Sequence, residues 1–92
     1  MTGPASRGVF AISVAAGMVS MQVQNLRVYE RHGLVRPSRT EGGTRIYSED
    51  DIETLHRIRE LLGEGLNLAG IRKVMALEAE VRSLRRRLAG GR

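Results

Sequence analysis

Apolar residues recur along the chain at spacings that change from one segment to the next, and each spacing predicts a different element. Phe10-Ala11-Ile12 reads as a brief extended lead-in, after which Ser13 is placed to cap a short helix over about residues 14–19. A second helix is predicted over about 23–32, with Leu26 and Tyr29 facing inward and Gly33 supplying a left-handed stop. Ser20-Met21 forms the turn between them. Ala16, Ser20 and Leu26 fall where a helix-turn-helix needs a small residue, a turn residue and a buried aliphatic.

The pattern then shortens to a period of two. Val35 to Arg39 and Thr44 to Tyr47 read as strands joined around Gly42-Gly43, a glycine pair suited to a tight hairpin. Alternation places Arg45 and Tyr47 on one face and Thr44 and Ile46 on the other, so that one face can bind while the other packs.

Helical spacing returns at Ser48-Glu49-Asp50-Asp51, a serine cap followed by acids that suit the positive end of a helix, in a short variant of the capping box. Ile52, Leu55, Ile58, Leu61 and Leu62 trace its apolar stripe; Gly63 and Gly65 end it. Asn67 can cap a further helix with Leu68, Ile71, Val74 and Met75 inward. Val74, Leu77, Val81, Leu84 and Leu88 then step by 3, 4, 3 and 4, the spacing of a coiled-coil seam. The pattern leaves open whether this last helix is continuous or bends near Ala76. The predicted fold is mainly α: a winged helix-turn-helix with a small β-hairpin wing, a second helix pair and a C-terminal coiled-coil-like helix. The predicted divisions are a flexible leader over 1–8, a DNA-binding domain over 9–76 and a dimerisation helix with its tail over 77–92.

At 92 residues the chain suits one small domain, and its net charge of +5 favours an acidic partner such as nucleic acid. That charge is uneven: residues 1–47 carry six arginines against Glu30 and Glu41, whereas residues 48–92 carry nine basic and eight acidic side chains. No cysteine is present, so disulfides and thiolate metal sites are excluded. His32 and His56 lack neighbours at metal-ligand spacing, and no histidine–carboxylate–nucleophile set or phosphate loop suggests an enzyme. No cofactor is expected. Met18, Met21 and Met75 occupy apolar positions and are expected in the core. The longest apolar stretch, Val9 to Val19, is too short to cross a bilayer, and a cytoplasmic location is expected.

Leu26-Arg27-x-Tyr29-Glu30-Arg31-x-Gly33-Leu34, Arg39, the run Gly42-Gly43-Thr44-Arg45-Ile46-Tyr47 and Ser48, in that order behind a helix-turn-helix, resemble the MerR superfamily of transcriptional regulators. The resemblance spans about residues 10–78. Ile12-Ser13-Val14-Ala15-Ala16, Glu41-Gly42-Gly43-Thr44-Arg45 and Glu64-Gly65-Leu66-Asn67-Leu68-Ala69-Gly70-Ile71 are similar to the heat-shock repressor branch, usually called HspR. Where that branch favours His-Pro-Gln-Thr this chain has Gln22-Val23-Gln24-Asn25, which implies a different operator. The longer C-terminal extension of many relatives is not matched, so no effector domain is expected.

The resemblance implies binding of double-stranded DNA, with the second helix in the major groove, the wing on the flank and the DNA bent or untwisted. It assigns Arg27 and Tyr29 to DNA contact, which agrees with the ability of a guanidinium and a phenol to donate to phosphate oxygens. Amide side chains can pair with adenine and arginine with guanine, making Gln24, Asn25 and Arg27 the base-reading candidates, with Gln22 at the helix start. Arg31 is expected to reach a backbone phosphate. In the wing, Arg39 and Arg45 would hold the flanking phosphates or minor groove, with Thr44 beside them and Tyr47 bracing the hairpin or donating its hydroxyl.

A homodimer through Val74, Leu77, Val81, Leu84 and Leu88, bound to an inverted repeat, is the expected assembly. Antiparallel pairing would bring Glu78 and Glu80 of one chain towards Arg85-Arg86-Arg87 of the other, while parallel pairing would align like charges. By resemblance the role is repression of chaperone genes, helped by an Hsp70-type chaperone. The alternatives are an excisionase-like protein stacked head-to-tail on direct repeats and a module that docks a chaperone or RNA polymerase.

Overall fold

The computed structural model describes residues 8–90, which form β1 (Gly8–Ala11), α1 (Ile12–Met18), α2 (Val23–Arg31), β2 (Ser38–Arg39), β3 (Arg45–Ser48), α3 (Glu49–Gly63) and α4 (Leu68–Gly90). The mainly helical architecture with a small β element agrees with the sequence pattern. The chain divides into two compact units between Glu60 and Leu61. Residues 1–7 of the expected leader lie outside the described residues, and Gly8 is already strand, paired with Ser48.

In the first unit the three strands form one antiparallel sheet in the order β1-β3-β2, so the wing strand β3 is central rather than one arm of an isolated hairpin. The pairing of β2 with β3 is short, Ser38 opposite Ile46 and Arg39 opposite Arg45, and not the longer strand expected from Val35. Pro37 accounts for the difference, because it has no N–H to offer a ladder. Helix α1 packs against α2, β1 and β3. Its start differs from expectation too: Ala11 occupies the cap position with no side-chain bond, and Ser13 lies inside the helix, exposed. A second correction concerns Met18, which is exposed, while Met21 and Met75 are half-buried.

Three helices end alike. After α1, Ser20 N–H donates to the Gly17 carbonyl and Met21 N–H to that of Ala16. After α2, Gly33 donates to Glu30 and Leu34 to Tyr29; after α3, Gly65 donates to Leu62 and Leu66 to Leu61. Each is a Schellman closure with its pivot in the left-handed region: Ser20 at φ 56°, Gly33 at 74° and Gly65 at 92°. Helix α3 opens on the reciprocal capping box anticipated from its acids. Ser48 Oγ accepts from Asp51 N–H at 2.9 Å, and Asp51 Oδ2 accepts from Ser48 N–H at 2.9 Å.

The second unit contains the Gly65 turn and α4. Asn67 Oδ1 accepts from Gly70 N–H at 2.8 Å and caps the helix, which then runs unbroken for 23 residues past Ala76. Ile71 is buried, Val74 and Met75 are half-buried, and Leu77, Val81, Leu84 and Leu88 are exposed.

Candidate nucleic-acid interface

Helix α2 separates its side chains by helical periodicity. Leu26 and Tyr29 are buried, whereas Gln24, Asn25, Arg27 and Arg31 are exposed. Gln24, Arg27 and Arg31 sit three and four residues apart and therefore share one face, with Asn25 at its border. Gln22 is exposed at the cap position, where its side chain makes no capping bond. The amide and guanidinium groups chosen from the sequence thus lie together on the outward side of one helix. Tyr29 lies on the inward side, and burial raises the pKa of its phenol.

The hairpin turns on Gly43 alone, at φ 88°; Gly42 does not share its positive φ. Gly43 N–H donates to the Thr40 carbonyl at 2.9 Å and Thr40 N–H to the Thr44 carbonyl at 2.9 Å, with Thr44 N–H also bound to Thr40 Oγ1 at 3.1 Å. This is a three-residue loop with a left-handed glycine at its exit. Thr44 is exposed rather than packed.

Strand β3 keeps the alternation expected from the sequence, and its surroundings decide which face packs. Arg45 and Tyr47 share a side, on which Arg45 is half-buried and Tyr47 is 0% exposed, its hydroxyl without a hydrogen-bond partner among the described residues. Burial raises the Tyr47 pKa, and the negative charge of Glu30 adds to the rise. Tyr47 is therefore a core side chain and presents no hydroxyl to a ligand. Alternation named the two faces correctly but could not say which one a neighbouring element would cover.

Glu30, a residue the sequence reading left unassigned, joins helix and hairpin. One of its carboxylate oxygens accepts from Arg39 Nη2 at 2.9 Å and the other from Arg45 Nε. Arg39 Nη1 also donates to the Gly43 carbonyl at 3.0 Å. Burial works against the charged carboxylate, but the hydrogen bonds from Arg45 and Arg39 outweigh it and hold the Glu30 pKa below its ordinary value. The link is consequently present above the ordinary glutamate range and is lost as pH falls through the lowered value. In the sequence Glu30 is the first acid in a strongly basic segment and Arg39 and Arg45 flank Gly42 symmetrically, but only the hairpin register brings the three together.

In α4, Val74, Leu77 and Val81, with Glu78, Arg82 and Arg85 at their sides, line a shallow apolar strip. Leu84 and Leu88 continue the exposed stripe. Among the described residues no group of three or more His, Cys, Asp or Glu converges on a possible metal site, and no helix is long and apolar enough to cross a membrane.

Two helices joined by a tight left-handed turn, the second tied to a β-hairpin, define a winged helix-turn-helix. Residues 10–78 match the MerR HTH family of regulatory proteins, and the chain belongs to that family. Its sequence is 48% identical over 82 residues to the heat shock protein HspR of Streptomyces coelicolor, covering 88% of this chain and 54% of that one. It is 37% identical over 73 residues to the HTH-type transcriptional regulator GlnR of Bacillus anthracis, covering 79% of this chain and 57% of the other. The chain thus spans about half the length of these curated relatives. Among solved structures, a MerR family transcriptional regulator from Bacillus cereus superposes with a TM-score of 0.69 at 29% identity, covering 83% of this chain and 61% of that one. The same fold occurs in HiNmlR, a MerR family regulator lacking the sensor domain and bound to promoter DNA, with a TM-score of 0.65 at 20% identity and coverage of 87% and 73%. These relatives are regulators, not enzymes.

Proposed function

We propose that this chain binds duplex operator DNA and regulates transcription, with α2 as the recognition helix and the β2–β3 hairpin as the wing. The observation that carries the reading is the single exposed face of α2 bearing Gln24, Arg27 and Arg31, bordered by Asn25. Amide groups there offer paired contacts to adenine, and the arginines serve guanine or phosphate. Gln22 and Thr44 are exposed, and with Arg45 of the wing they complete the proposed contact set. The similarity to the heat shock protein HspR directs this reading to heat-shock genes, and the family resemblance adds repression with an Hsp70-type chaperone as partner.

The assembly we infer is a homodimer joined along Val74, Leu77, Val81, Leu84 and Leu88, on an inverted repeat. An exposed stripe stepping by three and four residues suits a second copy of the same helix. An antiparallel arrangement would set Glu80 of one copy against Arg85-Arg86-Arg87 of the other. In this reading residues 9–76 bind DNA and 77–92 dimerise.

Selection of bound sequences from random duplex DNA at near-physiological salt tests the proposal. Enrichment of an inverted repeat supports it. A direct repeat would replace the dimer with head-to-tail stacking, and no enrichment would overturn DNA recognition altogether. On the enriched duplex, Arg45→Ala is expected to lower the slope of log affinity against log salt by about 0.9, the effect of one lost phosphate contact.

A further inference from the structure

We propose that Glu30 is a positioning residue that fixes the wing relative to the recognition helix and thereby sets how well the protein discriminates operator from bulk DNA. The inference rests on the DNA-binding reading above. It begins from the sheet register. Arg39 and Arg45 are direct cross-strand partners in the antiparallel β2–β3 pair, so their side chains leave the same face side by side. Like charges so placed repel and would open a pairing that extends over only two residue pairs. Glu30 removes that conflict by accepting one bond from each guanidinium, and it does so from the recognition helix.

The choice of nitrogens matters. Arg39 uses Nη2 for Glu30 and Nη1 for the Gly43 carbonyl, so both ends of its fork are committed to holding the hairpin. Arg45 gives Nε to Glu30, which orients its planar guanidinium and leaves both terminal nitrogens for an end-on pair of bonds to a phosphate. Arg39 thus acts as a brace and Arg45 as the aimed contact. A lysine at either position has no planar fork and could not divide its donors in this way.

Glu30→Gln supplies the test because charge and positioning predict opposite signs. The substitution raises net charge from +5 to +6, and attraction to phosphate alone would tighten binding to every duplex. The positioning role predicts about tenfold weaker binding to the duplex that dominates the selected pool, ~1.4 kcal/mol, with binding to a scrambled duplex of equal composition unchanged or tighter. On an Arg45→Ala background the additional loss should be clearly smaller than in the parent, since what remains is the hold of Glu30 on Arg39. Circular dichroism reports whether each variant is folded. Should Glu30→Gln fail to fold, Glu30→Asp retains the charge on a shorter stem and is expected to lose about threefold or more on the selected duplex only.

Tighter binding of Glu30→Gln to selected and scrambled duplex alike would overturn the proposal and make Glu30 a mere competitor for the arginines. Fully additive losses in the Glu30→Gln, Arg45→Ala pair would overturn it as well. Failure of the unmodified chain to bind any selected duplex is a separate result that defeats the DNA-binding reading itself.

Discussion

Around the hairpin, charged groups are matched within the chain; along the far half of α4, apolar groups are left uncovered by it. Glu30 sits between Arg39 and Arg45, Ser48 and Asp51 cap one another, and Tyr47 fills the core beneath. On α4, by contrast, Leu77 is 60% exposed and Leu88 83%. The difference shows what kind of partner each surface suits. The first surface leaves guanidinium and amide donors pointing outward, which suits a polyanion. The second leaves a stripe with coiled-coil spacing, which suits another helix.

The largest expected effect separates the two kinds of apolar residue. Leu55 is 0% exposed, and Leu55→Ala should cost about 3 kcal/mol through lost transfer energy and a residual cavity. Leu84, at 47% exposure, should cost under about 0.5 kcal/mol when replaced by alanine in the dilute monomer. If α4 pairs between copies, the Leu84→Ala penalty grows with protein concentration, while the Leu55→Ala penalty is present at every concentration. Thermal melts across a hundredfold concentration range, read beside sedimentation, measure both. A Leu84→Ala penalty independent of concentration would sink the assignment of the stripe to dimerisation.

Much of this contrast was legible in the sequence, for a physical reason: caps, stops and stripes are set by neighbours only a few residues away. The Ser48–Asp51 box, the Asn67 cap, the Gly33 and Gly65 stops and the α4 stripe all follow from local rules. What was not legible depended on contacts between distant segments. Whether Tyr47 braces the hairpin or offers its hydroxyl stays open in the sequence, because period-two alternation defines two faces without ranking them. Joining β1 to β3 and setting Glu30 beside Arg45, 15 residues away, decides that rank. Ser13 failed as a cap because the helix begins two residues earlier than expected, at Ile12, directly after β1 ends at Ala11. The exposed face of α2 was legible because it needs only helical spacing. The brace behind it was not, because it needs the hairpin register.

Tyr47→Phe sharpens the point at a smaller magnitude. Its hydroxyl is buried without a hydrogen-bond partner, and such a group costs about 1–3 kcal/mol in desolvation. Removing the oxygen while keeping the ring should leave stability unchanged or raise it by about 1 kcal/mol, with DNA affinity altered less than about twofold. Loss of affinity at unchanged stability would place the Tyr47 hydroxyl in the binding surface instead of the core.

The smallest effect concerns the turn that sets α1 against α2. Ser20 closes α1 with the same Schellman pair of bonds that Gly33 and Gly65 make after α2 and α3, yet it does so with a side chain at φ 56°. An L-residue in that region costs about 1–2 kcal/mol, and glycine there avoids the cost but loses about 0.5–1 kcal/mol more backbone entropy on folding. The balance favours Ser20→Gly by about 0.5 kcal/mol, a rise of roughly 2–4 °C in melting temperature for a domain of this size. Gly33→Ala, at φ 74° and with no heavy atom within 4 Å of the added Cβ, should move the opposite way by a similar or larger amount. Because the methyl added at Gly33 meets nothing, that shift comes from backbone conformation alone. A Ser20→Gly variant that melts lower than the parent would mean that the serine side chain contributes to the turn by more than its backbone strain removes.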